Sequence, residues 1–159
     1  MTTLVHRRAQ LPSLAVFIAL VAAIALFGAQ FSPGTWHQQL AKPSWNPPNA
    51  VFGPVWTVLY VAICIAGWLV WRAAGRMVLS LQFWLAQLVL NGLWSFLFFG
   101  LHRPDLALVD ICLLLAMIFA FIVTARRRSV VASWLFVPYA AWVGFATALN
   151  FSIWRLNGL

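Results

Sequence analysis

Four stretches of this chain concentrate tryptophan, asparagine and proline, types that bear on what the protein could hold: Trp36 to Pro48, Trp56 to Tyr60, Asn91 to Phe99, and Pro138 to Trp154. Indole and phenol rings stack on extended π-systems and keep an N–H or O–H to donate, while asparagine adds an amide that donates and accepts. Hydrolytic or group-transfer chemistry has no comparable set. The only acids are Asp105 and Asp110, and the two cysteines, Cys64 and Cys112, lack metal-ligand spacing and read as packing residues. No pairing of nucleophile with base and no metal site is evident.

The elements that position these residues follow from composition. Of 159 residues, 64% are hydrophobic and 8% charged, far more apolar than a soluble domain. A hydrocarbon core of about 30 Å takes about 20 helical residues to cross. Five apolar runs of that order occur, at residues 12–31, 51–71, 78–100, 106–125 and 130–154, divided by short basic or Pro/Gly punctuation. Stretches such as Leu14 to Phe27 show none of the alternation of a membrane β-barrel. Backbone polar groups must be satisfied inside lipid. The expected fold is therefore an all-α integral membrane protein, a single five-transmembrane-helix bundle over residues 1–159 without linker or repeat. The first run is read as a span rather than a cleaved leader, because it is long enough to cross and its removal would delete a helix.

The formal charge of +8 raises the possibility of nucleic acid, but the ten Lys and Arg cluster at helix ends rather than along a soluble face, so no nucleic-acid partner is expected. Arg7, Arg8, Arg72, Arg76 and Arg126 to Arg128 fall on one side, and Lys42, Arg103 and Arg155 on the other. The positive-inside rule then puts the N-terminus in the cytoplasm and the long first loop, residues 32–50, outside. The helical spans are expected in a cell membrane rather than an outer membrane.

At about 100° per helical residue, Trp56, Tyr60, Ile63, Gly67 and Trp71 share one face of the second span. Gln87, Asn91, Trp94, Ser95 and Phe98 share one face of the third, and Tyr139, Trp142, Ala146 and Asn150 one face of the fifth. Opposite the last lies a small-residue stripe, Ala140, Gly144 and Ala148, which reads as a packing seam. Three faces that join aromatic rings to small or polar groups can enclose one pocket, since an amide in hydrocarbon, as on the third and fifth spans, is costly without a partner. Asn91 and Asn150 have two readings, a bond across helices or contact with a ligand. Trp68, Trp71, Trp84, Trp134 and Trp154 sit near span ends and fit an interfacial aromatic belt. Asp105 reads as a helix-terminal charge, and Asp110 as bonded to a neighbouring helix or interfacial water.

The loop carries the pattern W-x5-K-P-S-W-N-P-P through Trp36, Lys42, Pro43, Ser44, Trp45, Asn46, Pro47 and Pro48. Its prolines restrict the backbone, so a stiff aromatic lid is expected. His37 is the one histidine expected near the mouth.

This loop, with Trp56-Thr-Val-Leu-Tyr60, Gln87 to Phe99, and the run Pro138-Tyr139, Trp142, Phe145-Ala146, Leu149-Asn150, strongly resembles the TspO/translocator protein family, the tryptophan-rich sensory proteins or peripheral-type benzodiazepine receptors. The resemblance spans nearly the whole chain. It implies a five-helix bundle whose pocket opens beneath the first loop and takes porphyrins or haem, and isoquinoline carboxamide or benzodiazepine-type ligands. It points to Pro47, Trp56, Tyr60, Asn91, Trp94, Ser95, Trp142 and Ala146 as ligand-binding, with Trp36, Lys42, Pro43, Trp45 and Pro48 in the lid. A tetrapyrrole would be a ligand rather than a required cofactor, handled by sensing, sequestration or transport. The resemblance also includes light- and oxygen-dependent porphyrin degradation, with Trp56 and Trp142 as its candidate residues, and a regulatory scaffold. Membrane lipid and a homodimeric partner are expected, although the third span lacks a GxxxG motif. The sterol motif of animal relatives is incomplete, with Phe151 at the tyrosine position between Leu149 and Arg155.

Overall fold

The computed structural model describes residues 2–31 and 33–158, with side chains described from Pro12 onward. The side chains of Arg7 and Arg8, and the first loop residue Ser32, lie outside the described residues. The chain is helical: α1 Thr2–Ala29, α2 Thr35–Gln39, α3 Asn49–Ala74, α4 Leu79–Ser95, a π-turn at Phe96–Gly100, α5 Pro104–Ala125, α6 Val130–Leu135 and α7 Val137–Asn157. Five spans are long and apolar enough to cross a membrane, namely Pro12–Ala29, Asn49–Ala74, Leu79–Gly100, Pro104–Ala125 and Val130–Asn157. This is the expected five-helix membrane bundle.

Local chemistry sets the boundaries. Pro48, extended at ψ 142, precedes α3, and Gly75 ends it in the left-handed region at φ 65, its N–H bonded to the Trp71 carbonyl at 2.8 Å. Pro104 opens α5, where it lacks only a donor the first turn does not use. Arg103 holds the Asp105 carboxylate through two bonds of 2.8 and 2.6 Å, so Asp105 is the helix-terminal charge expected. Ser129 caps α6 by accepting from the Ala132 N–H at 3.2 Å.

Two spans depart from single regular helices. The fifth breaks at Phe136, because Pro138 has no N–H to continue the ladder. The third ends in the π-turn, closed by the Leu101 N–H on the Phe96 carbonyl at 2.8 Å. Neither break leaves a mark in hydrophobic periodicity.

Lipid meets the aliphatic faces, with Val58, Val89 and Val123 each more than 60% exposed. Inside, α4 packs on α5 and α1, α5 on α7, and α3 on α1 and α6. The tightest joint is at Gly67, where a Cβ would lie 2.5 Å from the Trp84 indole and 2.9 Å from Phe17. Trp84 donates its N–H to the Ile63 carbonyl at 2.8 Å, and Phe17 meets its ring edge-on at 4.9 Å. At 1% exposure Trp84 is a core residue, which corrects the belt reading; Trp134, 68% exposed, does face outward. The small-residue stripe is also corrected. Ala140 is buried, but a Cβ on Gly144 would meet nothing within 4 Å and Ala148 is exposed, so the stripe is no continuous seam within the chain.

Gly67→Ala is expected to lower stability by about 1–3 kcal/mol through overpacking against Trp84, read from thermal unfolding in detergent. Gly144→Ala, which adds a methyl group where the chain itself places nothing within 4 Å, should not weaken the folding of the single chain.

Candidate functional site

The amides and phenols of the three faces find one another first. Tyr60 Oη on α3 donates to Asn91 Oδ1 on α4 at 3.0 Å, and Asn91 Nδ2 donates to Tyr139 Oη on α7 at 3.0 Å. Tyr139 in turn donates to Gln87 Oε1 at 2.9 Å, and Gln87 Nε2 to the Trp84 carbonyl at 2.9 Å. A second set joins Trp94 Nε1 to Asn150 Oδ1 at 3.0 Å and Asn150 Nδ2 to the Pro104 carbonyl at 2.8 Å. Both asparagines thus bond across helices. Tyr139, fully buried, is drawn into the network between Asn91 and Gln87 instead of facing an open space with Trp142.

Beside this network lies a cavity of about 690 Å³, within the ~300–1,000 Å³ usual for small-molecule sites. α3 does not pack closely on α7, and the bend at Phe136 lets α6 touch α3 while α7 stands off. Small residues of α1, Ala25, Gly28 and Ala29, form part of its wall. At Gly28 a Cβ would lie 3.3 Å from the Ser95 hydroxyl, a close contact between α1 and α4.

Of the residues expected to face a pocket, Trp56, Tyr60, Asn91, Trp94, Ser95, Trp142 and Ala146 line this one cavity. Pro47 does not; its neighbours Asn46 and Asn49 do. The π-turn brings Phe98 and Phe99 onto Trp94, one stacked at 5.1 Å and the other edge-on at 5.7 Å, and both line the cavity. Sequence reading missed Phe52, Phe99, Ile111 and Leu114 as liners; only the clustering of aromatics in the third span hinted at Phe99.

The loop is a lid fastened at three points. Trp36 stacks on His102 at 4.3 Å, Trp45 meets Phe145 edge-on at 5.6 Å, and Ala41 exchanges two 2.9 Å bonds with the Asn157 amide. His102, on the connection before α5, holds the lid without lining the cavity, whereas His37 does line it. Lys42 donates to the carbonyls of His37 and Leu40, closing the C-terminal end of α2, and does not line the cavity. Pro43 accepts the Asn46 N–H at 3.0 Å in a turn, Pro47 accepts the Asn46 amide at 3.0 Å, and exposed Pro48 starts α3.

His37 lines the cavity with its ring edge-on to Phe99 at 5.4 Å. Burial, and secondarily the Lys42 charge, push its pKa below the ordinary 6.5. Asp110 is 4% exposed, and among the described residues no group hydrogen-bonds to either oxygen. Of the two partners expected of it, a neighbouring helix or interfacial water, no bond to the first is made among the described residues. No group of three or more potential metal ligands occurs among the described residues.

Five apolar spans around a lidded aromatic cavity define a polytopic α-helical membrane protein built to enclose space between its helices. Residues 15–155 match the TspO/MBR family, and the chain belongs to it. It is 42% identical to protein CrtK of Rhodobacter capsulatus over 90% of this chain and 91% of that one. It is 39% identical to the tryptophan-rich protein TspO of Chlorobaculum tepidum over 93% and 98%. It is 38% identical to the human translocator protein over 92% and 85%.

His37 should titrate below 6.5 by NMR, and Lys42→Gln should raise its pKa only part of the way, because burial is the larger cause. A depressed histidine disfavours the proton in the closed state, so lid closure should be fully favoured above pH 6.5 and weaken as pH falls below it. Asn150→Ala, which strands the Trp94 N–H and the Pro104 carbonyl, should cost about 1–3 kcal/mol of stability, whereas Asp110→Asn should cost less than about 1.

Proposed function

We propose that the cavity binds a tetrapyrrole and that the protein senses, sequesters or moves porphyrins across or within a bacterial cell membrane, with the N-terminus cytoplasmic. The observation that carries this reading is the placing of Trp56, Trp94 and Trp142 around one 690 Å³ space. A porphyrin presents a wide π-face for those rings and polar propionates at one edge. Asn46 and Asn49 supply amides on the lid side of the same space, where propionates would lie. Planar aromatic amides of the isoquinoline carboxamide and benzodiazepine type fit the same walls. With haem, His37 is the lining imidazole, though stacking alone suffices for a metal-free ring. The open face at Gly144 and Ala148 supports a homodimeric assembly.

A second reading is favoured by one detail. Trp56 and Trp142, the candidate residues for photo-oxidative porphyrin breakdown, line the same cavity, so a bound ring would contact both.

Titration of the detergent-solubilised protein with protoporphyrin IX should quench tryptophan fluorescence saturably. Trp142→Ala should weaken binding roughly threefold to tenfold, the equivalent of one lost aromatic contact. Quenching that never saturates and is unchanged in Trp142→Ala and Asn91→Ala would sink the pocket reading. Illumination in air then separates the two functions: Trp142-dependent loss of the porphyrin spectrum marks an enzyme, and its absence marks sensing or transport.

A further inference from the structure

At the opposite end of the bundle from the lid lies a second hollow of about 200 Å³, whose liners Val16, Leu20 and Met77 are exposed on the outer surface of the bundle. Phe17 and Leu20 of α1, Trp71 of α3, Met77, and Leu81 and Leu85 of α4 line most of it, and among the described residues Ser13 is the liner with a hydroxyl. An apolar recess on the outer surface of a membrane bundle suits an acyl chain. Which lipid it takes is decided by its rim.

Two arginines adjoin lining residues of the recess in the chain. Arg72 follows the lining Trp71, and Arg76 precedes the lining Met77, both exposed. The Arg72 guanidinium is not free to wander, since it lies 4.6 Å over the Trp68 ring. Trp68 in turn donates its indole N–H to Ser13 Oγ at 3.3 Å, which fixes the Arg72 head beside a residue of the recess itself. No protein acid answers these charges. The chain has two acidic residues; Asp105 is bonded to Arg103 at the other end, and Asp110 is buried within α5. α3 and α5 run in the same direction, so Arg126, Arg127 and Arg128 after α5 belong to this end too and raise its positive field.

We propose that this recess is a binding site for an anionic phospholipid, with one acyl chain in the hollow between α1, α3 and α4 and the phosphate held by Arg72 and Arg76. The guanidinium fork matches phosphate oxygens through paired hydrogen bonds. The positioned Arg72 lowers the ordering cost of that contact. The site is separate from the lidded cavity and shares no lining residue with it.

Native mass spectrometry of the delipidated full-length protein, with phosphatidylglycerol or phosphatidylcholine of identical acyl chains added back, tests this directly. Phosphatidylglycerol should be retained in preference to phosphatidylcholine. Arg72→Gln with Arg76→Gln should lower its retention roughly 30-fold, the loss of two arginine contacts at a membrane surface. Arg127→Gln with Arg128→Gln removes the same charge from the same end and should lower it by no more than about threefold. Val16→Trp, placed on the exposed side of the recess, should block the acyl chain and abolish the preference while circular dichroism stays helical. Equal retention of the two lipids, or equal effects of the two arginine pairs, would overturn the proposal. So would undiminished binding in a helical Val16→Trp protein.

Discussion

A polar side chain carried into hydrocarbon must find its partner in the protein, and that constraint organises this bundle. Tyr60, Asn91, Tyr139 and Gln87 satisfy one another in sequence across α3, α4 and α7, and Trp84 extends the chain to the Ile63 carbonyl. Bonds of this kind are individually modest, but breaking one strands a buried group with no water to replace the partner. The network therefore fixes the rotation of three helices about their axes. Once Asn91 is held between two tyrosines, Trp94 one turn on must face the same interior, and Trp56 and Trp142 follow from Tyr60 and Tyr139.

The cavity is the space the network leaves open. The helices close on small residues where they touch, at Gly67 under Trp84 and at Gly28 against Ser95. They part where Pro138 interrupts the fifth span and α7 diverges from α3. The π-turn adds a further aromatic layer by turning Phe98 and Phe99 together onto Trp94. The lid closes this space through side chains that belong to distant parts of the chain, with His102, Phe145 and Asn157 holding Trp36, Trp45 and Ala41.

The two ends of the bundle are chemically unlike. Of the three basic residues at the lid end, Arg103 meets Asp105, Lys42 is spent on the carbonyls of His37 and Leu40, and Arg155 lies in the last turn of α7. The other end gathers arginines with no acid beside them, a distribution suited to a membrane surface rather than to internal ion pairs. Asp110 stands apart from both, an intramembrane carboxyl without a hydrogen-bonding group among the described residues.

Five spans, their order, and which faces carry the indoles and amides were legible in the sequence. An α-helix satisfies its own backbone, so length and a 3.6-residue period suffice to place it and to phase its side chains. The same logic brought seven of the expected site residues to one space, because residues on a single inward face share a fate. Pairwise choices escaped it. That Tyr139 would be consumed by Asn91 and Gln87, that Trp84 would be core rather than belt, and that Asn157 would latch the loop at Ala41 depend on how far one helix stands from another. Local period carries no such distance. Only the packed tertiary structure decided where the helices separate, and with it the size of the cavity and which polar groups were already spoken for.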